Sequence, residues 1–174
     1  MRFRVLLSLA FLNGCSRTPQ SFPVPAQYNY RAGMEPRIIG AGTAMDDPNA
    51  DLYLISGVKG REPNSSWRWT EPRAEFRLHP TETKNQFLVV RYSVAGVTFQ
   101  STGPVTFSIA VEGKEVFHPR VTEFGIGVWR IPVSENLLRT DRPVAVVMEV
   151  DKFYTTPEDG ARLGFQVQSI GFEP

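Results

Sequence analysis

The sequence predicts an all-β protein, an antiparallel β-sandwich of jelly-roll type with about eight or nine strands and at most one short helix. Three observations carry the prediction. From Asp51 onward, short stretches alternate apolar and polar residues with the period of a strand that has one dry face. Turn formers separate them, for the 174 residues hold 14 Pro and 14 Gly. No stretch carries the three-and-four spacing of a long amphipathic helix. The length suffices for one domain with a real core, and 41% hydrophobic content with 11% aromatics suits a β-rich globular chain.

The first 14 residues have the form of a secretory signal. Met1-Arg2-Phe3-Arg4 is basic, and the apolar run Val5 to Leu12 is too short to span a bilayer. The sequence Leu12-Asn13-Gly14-Cys15 then resembles a bacterial lipobox, with Asn13 where small residues are usual. In that motif the chain is cut before the Cys, whose thiol and new amine take acyl chains such as palmitate. Cys15 is the sole cysteine, so it has no partner for an internal disulfide. Several chains, at about 0.8 kcal/mol per buried methylene, give stable anchoring. Ser16 after the Cys, rather than Asp, implies the outer membrane where the host has one. The expected address is thus the cell envelope, by way of lipidated Cys15.

Residues 15–50 read as a tether. Pro19, Pro23 and Pro25 favour an extended linker, and residues 31–50 could add an edge strand to the domain that follows. Asp46-Asp47-Pro48-Asn49 is a turn cluster and lacks the regularly spaced oxygen ligands of a calcium loop. No metal and no cofactor is expected.

Residues 51–174 form the predicted sandwich. Leu52, Leu54 and Val58 open it. Arg73 to Leu78 alternates cleanly, with Ala74, Phe76 and Leu78 on the dry face. Phe87 to Val94 is apolar on both faces, as a central strand would be. Val105 to Val111 alternates again, and Glu112-Gly113-Lys114 turns a tight hairpin into Glu115 to His118. Phe124 to Ile131, Val144 to Val150 and Leu163 to Phe172 complete the strands. Ser134 to Asp141 is the one segment with helical character.

Arg68-Trp69-Thr70, Val111-Glu112-Gly113-Lys114, and the late Phe153, Pro157-Glu158-Asp159-Gly160 and Arg162-Leu163-Gly164 together resemble a bacterial jelly-roll domain akin to carbohydrate-binding modules. That domain occurs alone or joined to glycosyltransferases and other enzymes of surface-polysaccharide assembly. The resemblance covers roughly Leu52 to Phe172. It implies that the Arg-Trp pair and the Arg-x-Leu-Gly segment meet in space, and it brings no settled activity. The loop Gly60-Arg61-Glu62-Pro63 departs from the pattern by lacking an aromatic.

Charge and motifs narrow the function. Net charge is +1, and without Arg2 and Arg4 it is −1, with no basic patch, so nucleic acid is not an expected partner. The two histidines, His79 and His118, each precede a proline at a strand end, and neither has a third metal ligand at a sensible spacing. No Gly-x-Ser-x-Gly nucleophile turn is present. The chain is therefore read as a non-enzyme.

Binding is the better fit, because flat aromatic rings stack on the C–H faces of sugars. Trp67, Arg68, Trp69, Tyr154 and Arg162 are the candidate ligand contacts, with Tyr92 and Trp129 as further platforms. By alternation Trp67 and Trp69 share one face and Arg68 takes the other. Packing in the core is the default expectation for the two rings, which would leave Arg68 exposed. For Arg68 and Arg162 the default is a structural ion pair, with Glu62, Asp159 and Glu158 as candidate partners.

The leading function is a lipid-anchored, non-catalytic glycan-binding sandwich, possible accessory to surface-polysaccharide assembly. The alternatives are a protein-interaction scaffold of an envelope complex and, last, a glycoside hydrolase, for which two facing carboxylates would be needed.

Overall fold

A computed structural model describes residues 38–174. The leader, Cys15 and the tether up to residue 37 lie outside the described residues. The described residues fold as an all-β antiparallel sandwich, with ten short strands in two layers that share one strand and a separate two-stranded hairpin.

That shared strand is β3, Arg68–Leu78. Its second half pairs with β9, Val144–Val150, from Arg73↔Glu149 to Leu78↔Val144. Beyond β9 come β5, Val105–Val111, and β6, Lys114–Phe117. β2, Leu54–Val58, pairs with the other side of β3, and β7, Arg120–Val121, with the start of β5. The first half of β3 enters the other layer, where Arg68 and Trp69 pair with Val167 and Gln166 of β12, Gln166–Glu173. On that same flank β1, Gly42–Ala44, takes over where β3 leaves. The opposite flank of β12 carries β4, Phe87–Val94, and β8, Gly125–Pro132, closes the layer as its edge.

The core is the sum of the dry faces. Even-numbered residues of β3 (Ala74, Phe76, Leu78) meet odd-numbered ones of β5 (Val105, Phe107, Ile109, Val111) and Val144, Val146 and Met148 of β9. From the other layer come Leu88, Val90, Tyr92 and Val94 of β4 with Val167, Ile170 and Phe172 of β12. Burial of each Val, Leu, Ile, Phe or Met side chain among them contributes about 1.5–3 kcal/mol. Met45 and Ala50 are also fully inaccessible, so the packed body takes in residues ahead of Asp51.

The hairpin turn forms as expected. Val111 pairs with Lys114, and Glu112 and Gly113 take φ of 49° and 77°, the mirror-image turn that suits twisted strands. Glu112 carries a side chain in that conformation and anchors it: its carboxylate accepts from the Ala145 N–H at 2.7 Å and from Arg142 at 2.8 Å.

The place of the short helix is corrected. Ser134 to Asp141 yields a single 3-10 turn, Glu135–Leu137. The α-helix is instead α1, Gly96–Thr102, whose sequence GVTFQST is poor in helix formers. Backbone bonds Phe99 N–H to Ala95 (3.0 Å) and Gly103 N–H to Phe99 (2.7 Å) hold its ends. The additional strands are short: β1, β7, and the pair β10, Tyr154–Thr155, and β11, Arg162–Leu163. Two or three residues cannot display a period. Leu52 lies in a 3-10 turn, Ala50–Tyr53, and not in the first strand.

Candidate functional site

The buried residues of β3 fall on even positions from Leu78 back to Arg68, with only Pro72 half-buried where the pairing with β2 shifts register, and this decides the fate of the tryptophans. Leu78, Phe76, Ala74, Thr70 and Arg68 all face inward and are buried. Trp69 therefore faces outward, as does Trp67 just before the strand, and both rings are half-buried. Core packing of the two indoles, the default expectation, is thus reversed. They meet edge to face, with centroids 5.8 Å apart and planes at 83°. Register places Gln166 beside Trp69, Ser93 beyond it and Ile126 at the far edge, one row across the outer face of the layer.

Arg68 is the inward member, only 7% exposed. Its Nε–H donates to the Met45 carbonyl at 3.1 Å, and Nη1 reaches the Asp51 carboxylate at 2.5 Å. A buried guanidinium needs such partners. The Asp51 side chain is 78% exposed, so the pair bridges the interior and the surface.

The candidate ion pairs are corrected here. Glu62 sits in the loop before β3, where its carbonyl accepts from the Ser65 N–H and hydroxyl. Asp159 is held within the β10–β11 turn. It accepts from the Thr156 hydroxyl and from the Ala161 N–H at 3.0 Å, and these bonds, the hydroxyl's foremost, lower its pKa. Neither reaches Arg68. Arg162 lies over the Phe153 ring at 4.2 Å instead. Tyr154, half-buried, pairs with Leu163 in the same small hairpin.

That hairpin abuts β3. The Thr70 N–H and hydroxyl both donate to the Phe165 carbonyl (2.8 and 2.9 Å), and the hydroxyl accepts from the Phe165 N–H at 3.1 Å. The Gly164 N–H donates to the Thr70 carbonyl at 2.8 Å. A Cβ on Gly164 would stand 2.6 Å from the Glu71 carbonyl oxygen, so only glycine permits this approach. The Arg-x-Leu-Gly segment thus meets β3 at Thr70 and Glu71, just after the Arg68-Trp69 pair that the resemblance implied it would meet.

The two histidines are at strand ends. His79 Nε2 lies 2.9 Å from the Thr140 carbonyl. His118 Nδ1 and the Ser108 hydroxyl both bond the same Glu115 oxygen, at 3.1 and 2.5 Å. Those bonds, that of Ser108 foremost, lower the Glu115 pKa. The order is wrong for a nucleophile, because the hydroxyl bonds the carboxylate and not the imidazole. Among the described residues no group of three His, Cys, Asp or Glu is placed to hold a metal ion.

Sequence reasoning missed a groove beside the edge strand β8, lined by Tyr92, residues 120–127 and Trp129. Its signal was Phe124-Gly125-Ile126-Gly127-Val128-Trp129, in which glycines occupy inward positions that other strands fill with bulk.

The fold and these surfaces define an antiparallel β-sandwich with an aromatic outer face. No family model matches the chain, and no curated protein matches it significantly. Solved structures do. One is a family 35 carbohydrate binding module from an environmental isolate, 12% identical, with a TM-score of 0.41 over 70% of this chain and 90% of that one. Another is a cycloisomaltooligosaccharide glucanotransferase of Paenibacillus sp. complexed with cycloisomaltoheptaose, 8% identical with a TM-score of 0.41. A third is an isomalto-dextranase of Arthrobacter globiformis T6 complexed with panose, 11% identical with a TM-score of 0.33. The matches cover 76% and 68% of this chain but 18% of each enzyme.

Proposed function

We propose that the protein is a lipid-anchored envelope protein whose sandwich binds glycan without transforming it. The observation that carries this is the inward turn of Arg68, which commits Trp67 and Trp69 to the outer face. An outward indole offers its π-face to the C–H groups of a sugar ring. Gln166, next to Trp69 in the row, supplies an amide for the hydroxyls. In this reading acylated Cys15 holds the domain at the membrane, the outer one where the host has two, and the tether presents it to polysaccharide during assembly or export. The test is calorimetric titration of the full chain in detergent with envelope and capsular polysaccharides. Binding that disappears in the Trp67→Ala/Trp69→Ala double variant supports the reading. Undiminished binding in that variant refutes this face as the site, and absence of binding to any such polymer refutes the function.

A second reading, a scaffold that recruits an envelope protein, is favoured by the outer side of β8. There Phe124, Ile126 and Val128 are 63%, 67% and 54% exposed along an edge strand. Crosslinking in intact cells followed by isolation of the adduct distinguishes the two.

A further inference from the structure

The groove beside β8 is built differently from the Trp67–Trp69 face. Its volume is about 270 Å³. At its base Tyr92 of β4 and Trp129 of β8 stack with centroids 3.7 Å apart and planes 22° from parallel. Phe107 and Phe117 meet Trp129 edge to face, at 4.8 and 5.8 Å, and fix its orientation.

Gly127 makes this arrangement possible. A Cβ there would lie 2.5 Å from both Cζ and the hydroxyl of Tyr92. With hydrogen in its place, the phenol passes against the strand and its polar end lines the groove. Burial raises the Tyr92 pKa, so the phenol stays neutral and keeps a proton to donate.

The rim supplies opposite charges. Arg120 and Glu123 are exposed, and among the described residues neither joins an ion pair. Donors from Arg120 and Tyr92, an acceptor from Glu123 and a rigid aromatic base converge on one small space. That combination suits a compact ring bearing several hydroxyls.

We propose that this groove is a second carbohydrate site that takes one terminal pyranose residue, with Trp129 against the ring and Tyr92, Arg120 and Glu123 bonding its hydroxyls. The proposal rests on the glycan reading of the protein but uses none of the residues of the Trp67–Trp69 face. The groove opens on the inward side of β8, whereas Trp67 and Trp69 lie on the outer face, so the two sites are separate surfaces.

The test uses the full chain in detergent, with methyl glycosides of glucose, galactose, mannose and N-acetylglucosamine as probes and saturation-transfer NMR as the readout. The expected result is saturable binding of at least one glycoside. Arg120→Ala and Glu123→Gln, both surface changes, should each weaken it roughly tenfold or more, the cost of a charged hydrogen bond, at unchanged melting temperature. No response to any glycoside, or binding indifferent to both substitutions, overturns the proposal. So does an alternating Val/Thr peptide that binds with the same dependence on Arg120 and Glu123, which would assign the groove to strand addition. Polysaccharide binding is measured in parallel. Polymer binding without glycoside binding removes the groove alone, whereas loss of both removes the glycan reading with it.

Discussion

Arg68 and Asp51 form an ion pair with one end in the core and the other in solvent: the guanidinium side chain is 8% exposed and the carboxylate 78%. The two halves are not equivalent. Asp51→Ala leaves a buried cation with only the Met45 carbonyl, whereas Arg68→Met removes the charge and strands an acid that water already solvates. Asp51→Ala should therefore cost about 1–3 kcal/mol and Arg68→Met less. Urea midpoints of the two variants settle the order, and a larger loss for Arg68→Met contradicts it.

Half-buried tryptophans on an outer face contribute little to folding. Trp67→Ala and Trp69→Ala should each lower stability by about 1–2 kcal/mol, against roughly 3–5 for a core tryptophan. Thermal melts of the single variants measure this, and a core-sized loss would mean that the rings pack inward.

Gly164→Ala should destabilise by about 1–3 kcal/mol, because the new methyl meets the Glu71 carbonyl oxygen at 2.6 Å in a backbone contact that cannot rotate away. Equilibrium denaturation reports it. A neutral substitution would show that β11 and β3 are not in contact at this point.

Glu112 makes stability pH-dependent. Burial alone would raise its pKa, but the Ala145 N–H and Arg142 outweigh that and leave it below the usual 4.5. A depressed carboxylate stabilises the fold above the unfolded-state value, and the stabilisation disappears as pH falls through the folded-state value. Glu112→Gln should thus cost about 1 kcal/mol at neutral pH, with the gap to wild type closing below about pH 4.5. Denaturation at several acidic pH values checks the sign.

The lipid-anchor reading predicts that Cys15→Ser moves the protein from the membrane fraction to the soluble one and abolishes labelling with radioactive palmitate. Acyl chains at about 0.8 kcal/mol per methylene leave no comparable hold on the bilayer once removed. Unaltered fractionation and processing would end that reading.

Much of the fold was legible in the residues. Val105 to Val111 shows strict period two and Val144 to Val150 the apolar run of a central strand, and both are strands of those bounds. The glycine hairpin at Glu112-Gly113 was visible from turn chemistry. The orientation of the tryptophans was legible too: counting back in twos from Leu78, Phe76 and Ala74 puts Arg68 inside. A preference for burying large apolar rings hides that count. Other features were not accessible. Asp51 meets Arg68 across 17 residues of sequence through a tertiary contact that no local pattern encodes. α1 forms from β-branched and aromatic residues because its surroundings demand it, against its own propensity. The groove exists because residues from β4, β8 and the segment after β7 come together.

β3 is a ladder rung for both halves of the body. Arg68 and Trp69 are stitched to β12, and Arg73 to Leu78 are stitched to β9. Neither half can be peeled off while the other keeps its full complement of backbone bonds, since each borrows part of the same eleven-residue segment. Heat or force should accordingly dismantle the body in one cooperative event rather than by shedding leaves.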